Sequence, residues 1–175
     1  ENLIKYLPGH VILIVSPQDY TRPELQKFPK IIAKSHPYSL FSQIEIPLIL
    51  LKLKPDLVHF PVSSIPIFWF GKFVVTFHDL IKHISKVKDT TTKHQFVYWL
   101  KYFGYLLIDY CSIYRSKLII VPVNYWKNII IERFNINPKK IHVTYEAVDN
   151  NFINAKPVPI PNLIQPFLVH TGNLY

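Results

Sequence analysis

The sequence predicts an α/β domain built on an open, mostly parallel sheet. Short apolar runs of strand length recur at residues 11–15, 56–60, 72–77, 117–121 and 140–144. Stretches with helical spacing lie between several of them. Of 175 residues, 49% are hydrophobic and 18% charged, which supplies a core and argues against a disordered chain. Buried strands that alternate with helices pair in parallel, because each crossover returns the chain to the same end of the sheet.

Taken in order, residues 1–7 read as the end of a helix stopped by Pro8-Gly9. The strand at 11–15 is closed by Ser16-Pro17. Residues 18–37 are rich in Pro and Lys and read as loop, with Ile31-Ile-Ala33 as a short strand. A helix over 39–54 follows from Leu40, Ile44, Leu48 and Leu51, kinked or split at Pro47. The strands at 56–60 and 72–77 are separated by a loop holding Pro61 and Pro66.

The strongest helical pattern covers 91–114. Phe96, Leu100, Phe103, Leu107, Tyr110 and Tyr114 alternate at spacings of four and three, and Trp99, Tyr102 and Leu106 widen that face. The face is expected to be core, with contact to lipid as the alternative. Pro122 ends the strand at 117–121, and Asn124 is placed to cap a helix over 125–134. Asn137-Pro138 turns the chain into the strand at 140–144. Pro157, Pro159, Pro161 and Pro166 mark a stiff linker, and a last strand begins at Phe167.

The formal charge of +9 favours partners that carry phosphate. One cysteine, Cys111, leaves no internal disulfide, and its aromatic neighbours make it an inert core thiol. The most apolar stretch, 96–114, is interrupted by Lys101 and Asp109 and is no membrane span. His78 and His83 are five apart, which is not the HExxH spacing of a zinc site. Four glycines, with no Walker loop and no GxGxxG, argue against a phosphate cradle within these residues. The lysines are dispersed and the aromatics fall at core spacing, so nucleic acid is not an expected partner. No Met is present and Glu stands first, so the natural start is expected upstream.

In open parallel sheets, ligands bind beyond the carboxyl ends of the strands. Phe60 and Pro61 follow one strand, His78 and Asp79 the next, Asn124 the third, and Tyr145 and Glu146 the fourth. A cleft holding a His, two carboxylates and an Asn suits sugar hydroxyls. Each has a plainer alternative: Asp79 capping a turn, Asn124 capping a helix, Glu146 simply solvated.

Lys54-Pro-Asp-Leu-Val-His-Phe-Pro61 followed by Phe73-Val-Val-Thr-Phe-His-Asp-Leu80 resembles the N-terminal domain of family-four glycosyltransferases. Ser116-Lys-Leu-Ile-Ile-Val121 matches the strand after that domain's long helix. Glu132-Arg-Phe-Asn-Ile-Asn-Pro-Lys-Lys-Ile-His-Val143 is similar to its helix-turn-strand unit. Tyr145-Glu-Ala-Val-Asp149 with Phe152 looks like the segment leading out of the domain. Phe167-Leu-Val-His-Thr-Gly-Asn-Leu-Tyr175 is similar to the first strand and loop of the C-terminal domain.

The resemblance implies a GT-B architecture of two Rossmann-like domains, each an open, mostly parallel sheet with helices on both faces. It implies an acceptor domain over residues 1–155 lacking its first strand, a linker over 156–166, and the start of a donor domain over 167–175. It implies retaining transfer from a nucleotide sugar to a glycan or lipid-linked acceptor, as in polysaccharide biosynthesis, with no cofactor and no metal. His78 occupies the position of the residue that contacts the donor sugar near the reacting centre. Asp79 follows it as in many relatives; with Phe60, Pro61, Asn124 and Glu146 from the strand tips it makes the expected substrate-binding set, and Gly172 and Asn173 mark the edge of the donor domain. The implied location is the cytoplasm, with the inner face of an anionic membrane as a further partner. The family's E-x7-E motif would fall beyond Tyr175, which implies a fragment inactive alone. Its Ser-Glu-aromatic-Ser run is replaced by Val123, Asn124, Tyr125 and Trp126. That departure leaves a non-catalytic sugar-binding or scaffolding module of the same fold as the alternative.

Overall fold

The computed structural model describes residues 4, 7, 9–37, 39–84, 95–148 and 150–156. They divide into two compact units, Glu1–Tyr145 and Glu146–Tyr175. The first opens with two short strands, β1 (Leu13–Val15) and β2 (Lys30–Ile32), which pair in parallel with Leu13 beside Lys30. Helix α1 (Ser42–Leu53) leads to β3 (Val58–Phe60) and β4 (Phe73–Thr76). A single turn, α2 (Ile81–Ile84), precedes the long helix α3 (Gln95–Arg115). Then come β5 (Leu118–Val121), α4 (Asn124–Phe134) and β6 (Ile141–Val143). In the second unit, α5 (Asn150–Ile153) exposes Phe152 and Ile153.

Strands β3, β4, β5 and β6 form one sheet in sequence order, every pair parallel. The α/β class and the parallel sheet are as expected. Strands are shorter than their apolar runs because pairing stops where the neighbouring strand ends. The turn at Asn137-Pro138 is present as a 3-10 turn, with the Asn137 side chain accepting from the Lys139 amide. The predicted linker and final strand, including Gly172 and Asn173, lie outside the described residues.

Alternation along the strands builds the core. Phe73, Val75 and Phe77, then Ile119, Val121 and Ile141, are buried together on one parity. Leu50 of α1, Ile113 of α3, and Ile130 and Phe134 of α4 join them. Each such side chain contributes about 1.5–3 kcal/mol over leaving it in water. Two helices stop on left-handed residues without glycine, Lys54 (φ 47°) and Asn135 (φ 50°). Asn tolerates that region through its short polar side chain, and the Lys54 amide still bonds the Leu50 carbonyl. At the end of α3, Lys140 donates from Nζ to the carbonyls of Ile113 (2.6 Å) and Tyr114 (2.9 Å).

Two helix faces differ from expectation. Leu40, Ile44, Leu48 and Leu51 are exposed, and α1 buries Ser42, Pro47 and Leu50 instead. Likewise Leu100, Phe103, Leu107, Tyr110 and Tyr114 lie on the outer side of α3, while Asp109, Ser112, Ile113 and the adjoining Ser116 are buried. Both helices are apolar around most of their circumference, so hydrophobic spacing could not choose the inner face. Polar partners distant in sequence chose it. The Ser112 hydroxyl donates to the carbonyls of Ser63 and Ile108, both at 2.8 Å. Asp109 Oδ2 lies 2.8 Å from His83 Nε2, with both side chains buried.

Candidate active site

The four strand tips are level. Phe60 sits beside Val75, Thr76 beside Ile120, and Val121 beside Val143. Phe77 and Thr144 extend the ladder one step, donating from their amides to Ile120 and Val121 at 2.9 Å. The residues that leave the sheet here therefore share one edge.

His78 leaves β4 exposed, and its Nε2 lies 3.1 Å from the Pro61 carbonyl. A carbonyl only accepts, so Nε2 carries the proton, and in the neutral ring Nδ1 holds the lone pair. Pro61 thus enters the site through its backbone oxygen. Phe60 turns away from solvent and packs edge-on to Phe73, with centroids 5.6 Å apart. Asp79 Oδ1 accepts the Ile81 amide at 3.1 Å and so caps the turn that starts α2.

Asn124 does not cap α4. Val123 holds the cap position with no side-chain bond, and Asn124 is the first helical residue. Its Nδ2 donates to Tyr145 Oη at 3.1 Å, joining the chain beyond β5 to the chain beyond β6. Asn124 also lines a shallow groove along the edge strand with Lys127, Lys139 and His142. Glu146 is exposed and opens the second unit. The structure therefore brings together His78 with Pro61, and Asn124 with Tyr145.

The loop beyond β3 is held by residues that carried no sequence signal. Gln43 of α1 bonds the Ile65 carbonyl (3.3 Å) and accepts the Ile67 amide (2.7 Å). Arg115 donates to the carbonyls of Ile67 (2.6 Å) and Trp69, and its guanidinium lies 4.6 Å from the Phe70 ring centroid. Gly71 is required where it stands, because a Cβ there would overlap the Trp69 indole. Arg115→Met should lower stability by about 2–3 kcal/mol, since two carbonyls lose a charged donor. Arg115→Lys should recover little of it, because an ammonium cannot span both oxygens as the fork does. Urea unfolding of both variants checks this.

His59 is a further residue that spacing did not reveal. On the face of β3 opposite Phe60, its Nε2 lies 2.9 Å from Thr76 Oγ1. Burial pushes its pKa below the ordinary 6.5. The unfolded chain then binds this proton first as the pH falls, so the contribution is intact above 6.5 and lost below it. Melting temperatures from pH 7.5 down to pH 5 should fall more steeply in the native protein than in His59→Gln.

Among the described residues, no group of three or more His, Cys, Asp or Glu is placed to hold a metal ion. No described helix is long and apolar enough to cross a membrane. No curated protein matches the chain. The model of Glycosyltransferase Family 4 matches residues 2–152. That span takes in every strand from β1 to β6 and the carboxyl edge of the four-stranded sheet, and the chain belongs to glycosyltransferase family 4.

Proposed function

We propose that the chain is the acceptor-side domain of a retaining glycosyltransferase. It takes a sugar from a nucleotide-sugar donor and passes it to a glycan or lipid-linked sugar. The observation that carries this is the bond from His78 to the Pro61 carbonyl, at the carboxyl edge of four co-directional strands. It holds an imidazole at the mouth of the sheet, where it can turn its N–H to a sugar hydroxyl as substrate arrives. Asn124 and Tyr145 present an amide and a phenol for further hydroxyls of the acceptor. The basic balance of the chain, +9, favours an anionic donor. No metal is invoked; leaving-group charge falls to protein donors.

Expressed from its complete open reading frame, the protein should release nucleoside diphosphate from a nucleotide sugar in the presence of acceptor. A folded protein that releases none across the common nucleotide sugars overturns the proposal.

Lipid-linked acceptors are favoured by the outer side of α1. Leu40, Phe41, Ile44, Leu48 and Leu51 are exposed there, as are Lys34, Lys52 and Lys54. Apolar side chains flanked by lysines suit an anionic bilayer surface. Flotation with phosphatidylglycerol vesicles at low salt, lost at high salt, is the expected result. No binding at either salt removes the membrane from the proposal.

A further inference from the structure

We propose that the outer face of α3 is a self-association surface, on which two copies of this chain pair through the same residues. Leu100, Phe103, Leu107, Tyr110 and Tyr114 follow one another at three, four, three and four residues. That is the a/d seam of a helix that packs along another helix. In the structure the seam faces water, with exposures of 65%, 62%, 55%, 47% and 53%. Taking about 200 Å² for each of these large residues, the seam leaves on the order of 550 Å² of mostly apolar surface per copy. An isologous pair would then bury about 1,100 Å², which clears the lower bound for a specific interface. Interfaces at that end of the range belong to weak, reversible pairs.

The seam is also prepared for contact. Tyr110 and Tyr114 are stacked at 5.8 Å and 16°, and Tyr114 Oη donates to the Phe134 carbonyl at 2.8 Å. Side chains already fixed lose little freedom on association. Gly104 lies exposed beside Phe103, and open space surrounds the position a Cβ would take. A bare backbone there admits a close neighbour.

Charge decides against a bilayer as the occupant. The charged residues of α3 are Lys101, Asp109 and Arg115. Asp109 is buried against His83, and Arg115 is spent on the loop beyond β3. Lys101 is left, whereas a helix lying on anionic lipid carries a row of cations beside its apolar face. A second copy needs no such row.

Sedimentation equilibrium of the chain should give a reversible dimer, at twice 20.6 kDa. Phe103→Glu with Leu107→Glu should give the monomer, with an unchanged far-UV circular dichroism spectrum. Leu107 stands at the middle of the seam and meets its own counterpart across a two-fold axis. In a Cys111→Ser background, Leu107→Cys should therefore oxidise to a disulfide-linked dimer, while an exposed control on α1, Leu48→Cys, does not. This second measurement decides the matter even if the double glutamate variant fails to fold. A chain that stays monomeric through the micromolar range overturns the proposal. So does a dimer untouched by the glutamates, cross-linking no better at 107 than at 48, or a monomer that inserts α3 into vesicles.

Discussion

Asp109→Ala should cost the protein about 3–5 kcal/mol, the sum of a buried ring nitrogen left without its hydrogen-bond partner and the cavity the side chain leaves. Domains of this kind are stable by about 5–15 kcal/mol in total, so roughly a fifth or more is at stake. Asp109 is fully buried, and His83 is 5% exposed. Their bond spans 26 residues and joins α2 to α3. The His83 ring also packs edge-on to Phe134 at 5.4 Å. Without the carboxylate, the ring nitrogen faces a cavity and keeps no acceptor. Asp109→Asn should lose less, since an amide oxygen still accepts. His83→Phe with Asp109→Leu should recover most of the loss, because two apolar groups leave nothing unpaired. Chemical unfolding with linear extrapolation checks all three. A loss below about 1 kcal/mol for Asp109→Ala would show that the bond is not made in solution.

His78→Ala should lower turnover of the complete protein about a hundred- to thousandfold, the usual consequence of losing one positioned donor near the reacting centre. Stability should barely change. The ring is exposed at the loop, and exposed positions away from special features tolerate substitution within about 0.5 kcal/mol. The comparison of the two readouts is the point. Lost activity in a protein of native stability assigns His78 to chemistry; equal loss of both assigns it to the fold. His78→Asn tests the donor itself, since an amide can still offer an N–H. Unchanged turnover in His78→Ala would falsify the role given to it.

The strands were legible because their apolar runs are short and contiguous, and several are closed by proline, as at Phe60-Pro61 and Val121-Pro122. Parallel pairing alone sets the strand tips, so the sequence already places His78, Pro61 and Asn124 on one edge. The helix faces were not legible. On α3 the inward side is marked by Asp109 and Ser112, whose partners His83 and Ser63 lie 26 and 49 residues away. A periodicity count scores those residues as surface. His59 and Thr76 escaped for a related reason: two polar side chains on adjacent strands meet only once register is fixed. Asn124 reads as a cap because its residue type suits one. The helix begins one residue earlier than its apolar pattern, and that shift frees the amide for Tyr145.

The order of the four-stranded sheet has a consequence for synthesis. Each of β4, β5 and β6 pairs with the strand that precedes it in sequence. A nascent polypeptide leaving the ribosome can therefore lay down one strand at a time, each on an edge already finished. After β3, no strand of this sheet waits for a later one to be translated, so the sheet can fold vectorially, from the amino-terminal side onward.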